Sequence, residues 1–112
     1  MSNVPPTEPF TLVDWTHVPN ERIPGATGDS FWRTVQLPDV RLRIVEYPAG
    51  YLADHWCERG HVLHLLEGVV AIEFVGVDEQ QLQPGMTCRL TPGHAHRLRT
   101  LGTQTAVALI VD

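Results

Sequence analysis

Gly50 to Gly68 reads G-Y-L-A-D-H-W-C-E-R-G-H-V-L-H-L-L-E-G, which places His55, Cys57, His61 and His64 within ten residues of an otherwise apolar, strand-like stretch. Imidazoles and a thiol in apolar strand sequence need partners, and several together point to a metal site or a reactive centre. His55 and Cys57 are two apart, so in an extended chain they share a face. Unbroken strand would carry His61 about 20 Å from His55, too far to share an ion. A turn at Glu58-Arg59-Gly60, with the glycine in the left-handed conformation, resolves this by folding His61 back beside Cys57. On the returning strand His61, Leu63 and Leu65 face one side and Val62, His64 and Leu66 the other. His64 is therefore expected to point away from the site.

Outward from this stretch the chain continues in short extended segments. Upstream, Phe31 to Leu37 alternates, and Pro38-Asp39 turns it into Val40 to Tyr47. There Leu42, Ile44 and Glu46 share one face, and Arg41, Arg43, Val45 and Tyr47 the other. Pro48-Ala49-Gly50 is a turn, and Tyr51 to Cys57 is expected to be extended. Downstream, strands are expected at His61 to Leu66, Val69 to Val75, Gln80 to Gln83, Met86 to Leu90, Ala95 to Thr100 and Thr103 to Val111. Gly68, Gly76, Pro84-Gly85, Pro92-Gly93 and Gly102 punctuate them. Phe10 to Trp15 has the composition of a short edge strand. Thr16 to Ser30, with Pro19, Pro24, Gly25 and Gly28, reads as a loop packed over the core through Trp15 and Ile23. Residues 1–9 read as a mobile or edge-wrapping arm. No segment carries helical spacing with caps, so the expected class is all-β, a sandwich or barrel.

At 112 residues the chain has room for one core, and a domain of 1–112 is expected. Its apolar fraction of 43% suits a globular protein. A formal charge of -5 and the lack of a Lys/Arg cluster argue against a nucleic-acid partner. The apolar runs are too short to span a bilayer, and the N-terminus lacks the regions of a signal peptide, so a cytoplasmic location with no membrane partner is expected. In a reducing compartment Cys57 and Cys88 are expected to be free thiols.

Five of the six histidines lie between residues 55 and 96. One histidine on a strand is more often a hydrogen-bonded structural residue, and a lone cysteine a small buried hydrophobe. Clustering is what points to a site: His55, Cys57 and His61, completed by His96 from the strand after Pro92-Gly93. His17 and His64 keep the structural reading, and His94 is left open between the two. Glu46 is the candidate general base, with a surface ion pair to a neighbouring arginine as the alternative. Cys88, with Met86 and Leu90, is expected in the core, and Arg97 and Arg99 in solvent. Trp32, Trp56, Tyr47 and Tyr51 are large enough to form a dimer face or to line a mouth.

Two motifs resemble those of the cupin family. The usual first motif is a glycine, H-x-H, three or four residues, a glutamate, six residues and a glycine. Here Gly50 precedes His55-Trp56-Cys57, and His61 and Gly68 follow in the same frame. Cys57 stands for the second histidine and His61 for the glutamate, and the gap from Gly50 to His55 is one residue short. Gly85, Pro92, Gly93 and His96 follow the order of the second motif, with Thr100 in place of its asparagine. The D-H-W-C order at residues 54–57 also resembles small single-domain bacterial cupins with a D-H-C-W motif. The resemblance covers most of the chain from Trp15 onward. It implies a jelly-roll barrel (the double-stranded β-helix), one metal in the lumen and a homodimer. It does not imply a reaction.

Exchanging hard carboxylate for imidazole and thiolate disfavours manganese and favours zinc, iron(II), nickel or copper. His55, His61 and His96 with an open position suit catalysis, whereas Cys57 as a fourth ligand closes a tetrahedron of the kind structural zinc prefers. A thiol beside the ion rather than on it is the other possibility. Three functions are compatible: a small metalloenzyme of oxygenase or isomerase type acting on a small molecule, a non-catalytic metal, ligand or redox sensing module, and a metal-free fold with a redox-sensitive Cys57. Leu63, Leu65, Ile72, Phe74 and Leu98 are expected to give the lumen an apolar lining suited to a small-molecule ligand.

Overall fold

Alternation decides which residues build the interior. In the computed structural model, which describes residues 10–112, nine antiparallel strands follow one three-residue 3-10 turn at Trp15–His17. They are β1 (Glu21–Pro24), β2 (Asp29–Gln36), β3 (Arg41–Tyr47), β4 (His61–Glu67), β5 (Val69–Phe74), β6 (Val77–Leu82), β7 (Thr87–Leu90), β8 (His96–Leu101) and β9 (Ala106–Val111). The expected arm at residues 1–9 lies outside the described residues. One sheet has six strands in the order β1-β2-β3-β9-β4-β7, and the other has three in the order β6-β5-β8. Two sheets facing each other around one core make the all-β jelly-roll architecture expected from the strand pattern.

Each inward row is set by period two. Val45 and Tyr47 on β3, Leu63 and Leu65 on β4, Val70 and Ile72 on β5, and Ala106, Ala108 and Ile110 on β9 are all buried. Burying each Val, Leu or Ile side chain contributes about 1.5–3 kcal/mol, so these rows supply the main cohesive term. Short side chains at Ala106 and Ala108 leave room for the large ones opposite. The small inward residues and the gap between the sheets leave a lumen open at one end.

Three segments depart from the expected pattern. Phe10 to Asp14 is not a strand; the Asp14 side chain instead accepts from Thr16 N at 3.0 Å and caps the 3-10 turn. The expected loop from Thr16 to Ser30 contains β1, which pairs with β2 from Glu21↔Trp32 to Pro24↔Asp29. Proline is tolerated there because β1 is an edge strand. Tyr51 to Cys57 is not a strand either. It makes only single bridges, from Leu52 to Thr27 and Arg99 and from Cys57 to His96.

The first crossing from one sheet to the other occurs at Gly68, between β4 and β5. The β4–β9 register shifts between Leu65 and Glu67, which bends the strand as it leaves the larger sheet. Gly68 has φ +78°, and a Cβ there would lie 2.6 Å from Ala106 Cα. Gly76, in the β5–β6 turn, has the same φ of +78° but open space around it. Gly76→Ala is therefore expected to cost only the left-handed backbone penalty of about 1–2 kcal/mol. Gly68→Ala is expected to cost more, read as a larger fall in the denaturant midpoint. Equal losses would show that backbone movement relieves the Ala106 contact.

Candidate functional site

The lumen holds a cavity of about 260 Å³. Trp32, Tyr47, Tyr51, Leu63, Ile72, Leu98 and Ile110 form its walls, and Asp54, His55, Arg59 and Arg97 lie toward its opening. Of the apolar residues expected to line it, Leu63, Ile72 and Leu98 do so. Leu65 is fully buried in the core and Phe74 packs against that core. Tyr47 and Tyr51 are interior rather than surface residues, with ring centroids 5.0 Å apart. Burial pushes the Tyr47 phenol well above its ordinary value, so it remains a hydrogen-bond donor across the physiological range.

His55, Cys57, His61 and His96, the four residues expected to form the site, all border this one cavity. They are brought there by a different route from the one expected. Cys57 does not pair with His61 across a tight turn. It pairs with His96, through Cys57 N to His96 O at 2.7 Å and His96 N to Cys57 O at 2.9 Å. Gly60 is not in the left-handed region; it is needed because a Cβ would lie 2.5 Å from Pro92 Cγ. Close packing of Gly60 on Pro92 brings the start of β4 next to the segment preceding β8. His61 and His96 then meet edge to face, with ring centroids 5.2 Å apart and an interplanar angle of 77°.

The two imidazoles differ in their partners. His96 is buried, and its Nδ1 lies 3.2 Å from the His94 carbonyl. His61 Nδ1 is buried with no hydrogen-bond partner. Burial and the His96 ring pull the His61 pKa down to about 4 from 6.5, so its ring is neutral at pH 7. His55 stands apart: its side chain is 77% exposed, and its Nδ1 is 2.6 Å from Asp54 Oδ1. His64 points outward as expected, with Nδ1 2.7 Å from Thr87 Oγ1.

Glu46 does not border the cavity, which corrects its assignment as a general base. Val45 and Tyr47 point inward, so the intervening Glu46 points out, where its Oε2 meets Arg33 Nη1 at 3.2 Å. The surface ion pair is the reading that holds. Arg97 and Arg99 are likewise engaged, with Glu73 and, for Arg99, also Glu79. Arg97 additionally stacks over Trp56 at 4.5 Å. Cys57 and Cys88 are free thiols, and Cys88 packs against the core while Met86 is exposed.

No protein-family model matches the chain, and no curated protein sequence matches it. Solved structures do. A predicted oxalate decarboxylase from Thermotoga maritima aligns with a TM-score of 0.78 at 16% identity, covering 90% of this chain and 96% of that one. A cupin-like protein from the same organism aligns at 0.68 with 17% identity, over 77% of this chain and 69% of that one. The chain has the cupin fold. The polyketide cyclase RemF from Streptomyces resistomycificus is also similar, at TM-score 0.75 and 25% identity over 91% of this chain and 78% of that one.

Cupins are expected to carry a metal in the lumen, and the residues present match that requirement in part. Two neutral-capable imidazoles touch, and one buried nitrogen needs a partner that the described residues do not supply. Yet among the described residues no three His, Cys, Asp or Glu side chains converge on one point. His55 and Cys57 border the same cavity but are not gathered with the pair.

A second polar group lies in this cupin barrel. Inward alternation on β3 brings Arg41 and Arg43 to the face of Val45 and Tyr47. Arg41 grips Asp112 with two bonds, Nε to Oδ1 at 3.0 Å and Nη2 to Oδ2 at 2.5 Å. This pair holds the Asp112 carboxyl below its ordinary value. A carboxyl with a lowered folded-state pKa stabilises the fold at pH values above the ordinary carboxylate range, and that stability is lost as pH falls through it. Asp112→Asn is therefore expected to cost about 2 kcal/mol at pH 7. The gap to wild type should close as pH falls below the ordinary carboxylate range, as measured by urea denaturation. A gap independent of pH would show that the loss is one of shape rather than charge.

Proposed function

We propose that the protein binds a small, largely apolar molecule in the barrel lumen, against a divalent transition metal held by His61 and His96. Cys57 and His55, on the wall and at the mouth, are the donors available to complete the coordination. The observation that carries this reading is the buried, unpartnered Nδ1 of His61 beside the His96 ring. A buried polar atom without a partner costs about 1–3 kcal/mol, which a group from outside the chain would offset. Imidazole and thiol donors suit zinc, iron or nickel better than manganese.

A bound metal would supply Lewis-acid polarisation of a ligand oxygen. The chain's own residues shape the rest. Leu63, Ile72 and Leu98 strip water from the apolar part of the ligand, and the protonated Tyr47 phenol is a donor within the same walls. The cavity volume, just under the 300–1,000 Å³ typical of drug-sized sites, limits the ligand to a small one. Similar structures include the polyketide cyclase RemF, an ectoine synthase from P. lautus and a predicted oxalate decarboxylase, names consistent with a lumen for small organic molecules.

Elemental analysis of protein purified without added metal tests the metal. About one transition-metal ion per folded chain is expected, and His61→Ala should weaken its binding more than about 100-fold. Cys57→Ser should weaken it less than His61→Ala does. A folded wild type with only trace metal would overturn this part of the reading, as would a His61→Ala variant with unchanged affinity.

A further inference from the structure

Arg43 is the least expected side chain in the lumen. It is 6% exposed, borders the cavity, and its Nε has no hydrogen-bond partner. Its Nη2 makes only a 3.5 Å approach to Asp112 Oδ2, an oxygen already bonded by Arg41. Trp32 lies 4.7 Å from the guanidinium carbon and covers one face of the group, but a ring face accepts none of the in-plane N–H bonds. The charged groups that act on Arg43 are Arg41, Asp112 and Arg59, with the Tyr47 phenol alongside. Arg41 and Arg43 share the single Asp112 carboxylate, so this cluster carries one positive charge in excess.

An under-bonded guanidinium in an apolar cavity is costly, and a methionine would fill the same space at less cost. We propose that Arg43 anchors a single carboxylate of the molecule that fills the lumen, so that the ligand class is a small monocarboxylate with an apolar body. This deepens the lumen-binding reading and rests on it, but not on its metal. The planar guanidinium fork matches a carboxylate in two-point geometry. One excess positive charge balances a monoanion. A phosphate dianion would overshoot it and face Asp112. Leu63, Ile72, Leu98 and the Trp32 ring then take the apolar body.

Calorimetric titration with benzoate, benzamide and phenyl phosphate tests the assignment, on wild type and Arg43→Met, each as purified and after chelation. Wild type is expected to bind benzoate at least about tenfold more tightly than benzamide. Arg43→Met should weaken benzoate about 10- to 100-fold and leave benzamide within about threefold. Retention of benzoate after chelation, with loss on Arg43→Met, supports the carboxylate anchor even if the metal assay fails. Benzoate binding that vanishes on chelation and ignores Arg43→Met overturns the anchor and leaves the metal standing. Equal affinity of wild type for benzoate and benzamide, preference for phenyl phosphate, or no binding of any probe also overturns it. The wild-type comparison decides the matter if the variant does not fold.

Discussion

Arg41 is tied to Asp112 twice over. Their backbones exchange hydrogen bonds of 2.7 and 3.0 Å, and the guanidinium then clasps the carboxylate from the same residue pair. That double tie pins β3 against the end of β9 and so fixes the register Arg43↔Ile110 and Val45↔Ala108. β9 in turn pairs with β4 through Leu63↔Ile110 and Val62↔Val111, which sets His61 in line with Asp112. A one-residue slip would turn Arg43 and His61 outward and Glu46 inward. The chemistry of the lumen thus depends on a pairing made at its rim.

The polar groups inside the barrel form two sets. Arg41, Asp112 and Arg43 carry charge, and beside them His61, at the start of β4, meets His96 as a pair of imidazoles. The rest of the lumen surface is hydrocarbon and aromatic ring. A ligand with an anionic end and an apolar body would meet both kinds of surface. The cupin fold does not dictate such a layout, since the fold hosts many chemistries and the site decides among them.

Much of this was legible in the sequence because period-two alternation is strict. The jelly-roll class, eight of the nine strands and the outward turn of His64 follow from alternation and glycine or proline punctuation. Alternation had also placed Arg43 with Val45 and Tyr47, and that was the signal for a lumen arginine. Choosing Glu46 as general base passed over this signal, because Glu46 lies on the face of the strand opposite Val45 and Tyr47. The path from Tyr51 to Gly60 was not legible. Its shape is set by distant partners, Leu52 by Thr27 and Arg99, Cys57 by His96 and Gly60 by Pro92, and local propensity contains none of them.

The central claim is that the buried imidazole pair exists to hold something from outside the chain. A crystal structure of protein purified without added metal, with anomalous data collected at the zinc, iron and nickel edges, tests it directly. The account predicts one anomalous peak inside the barrel, bonded to both His61 and His96. A lumen with no such peak, in which the two imidazoles simply hydrogen-bond each other, would contradict it.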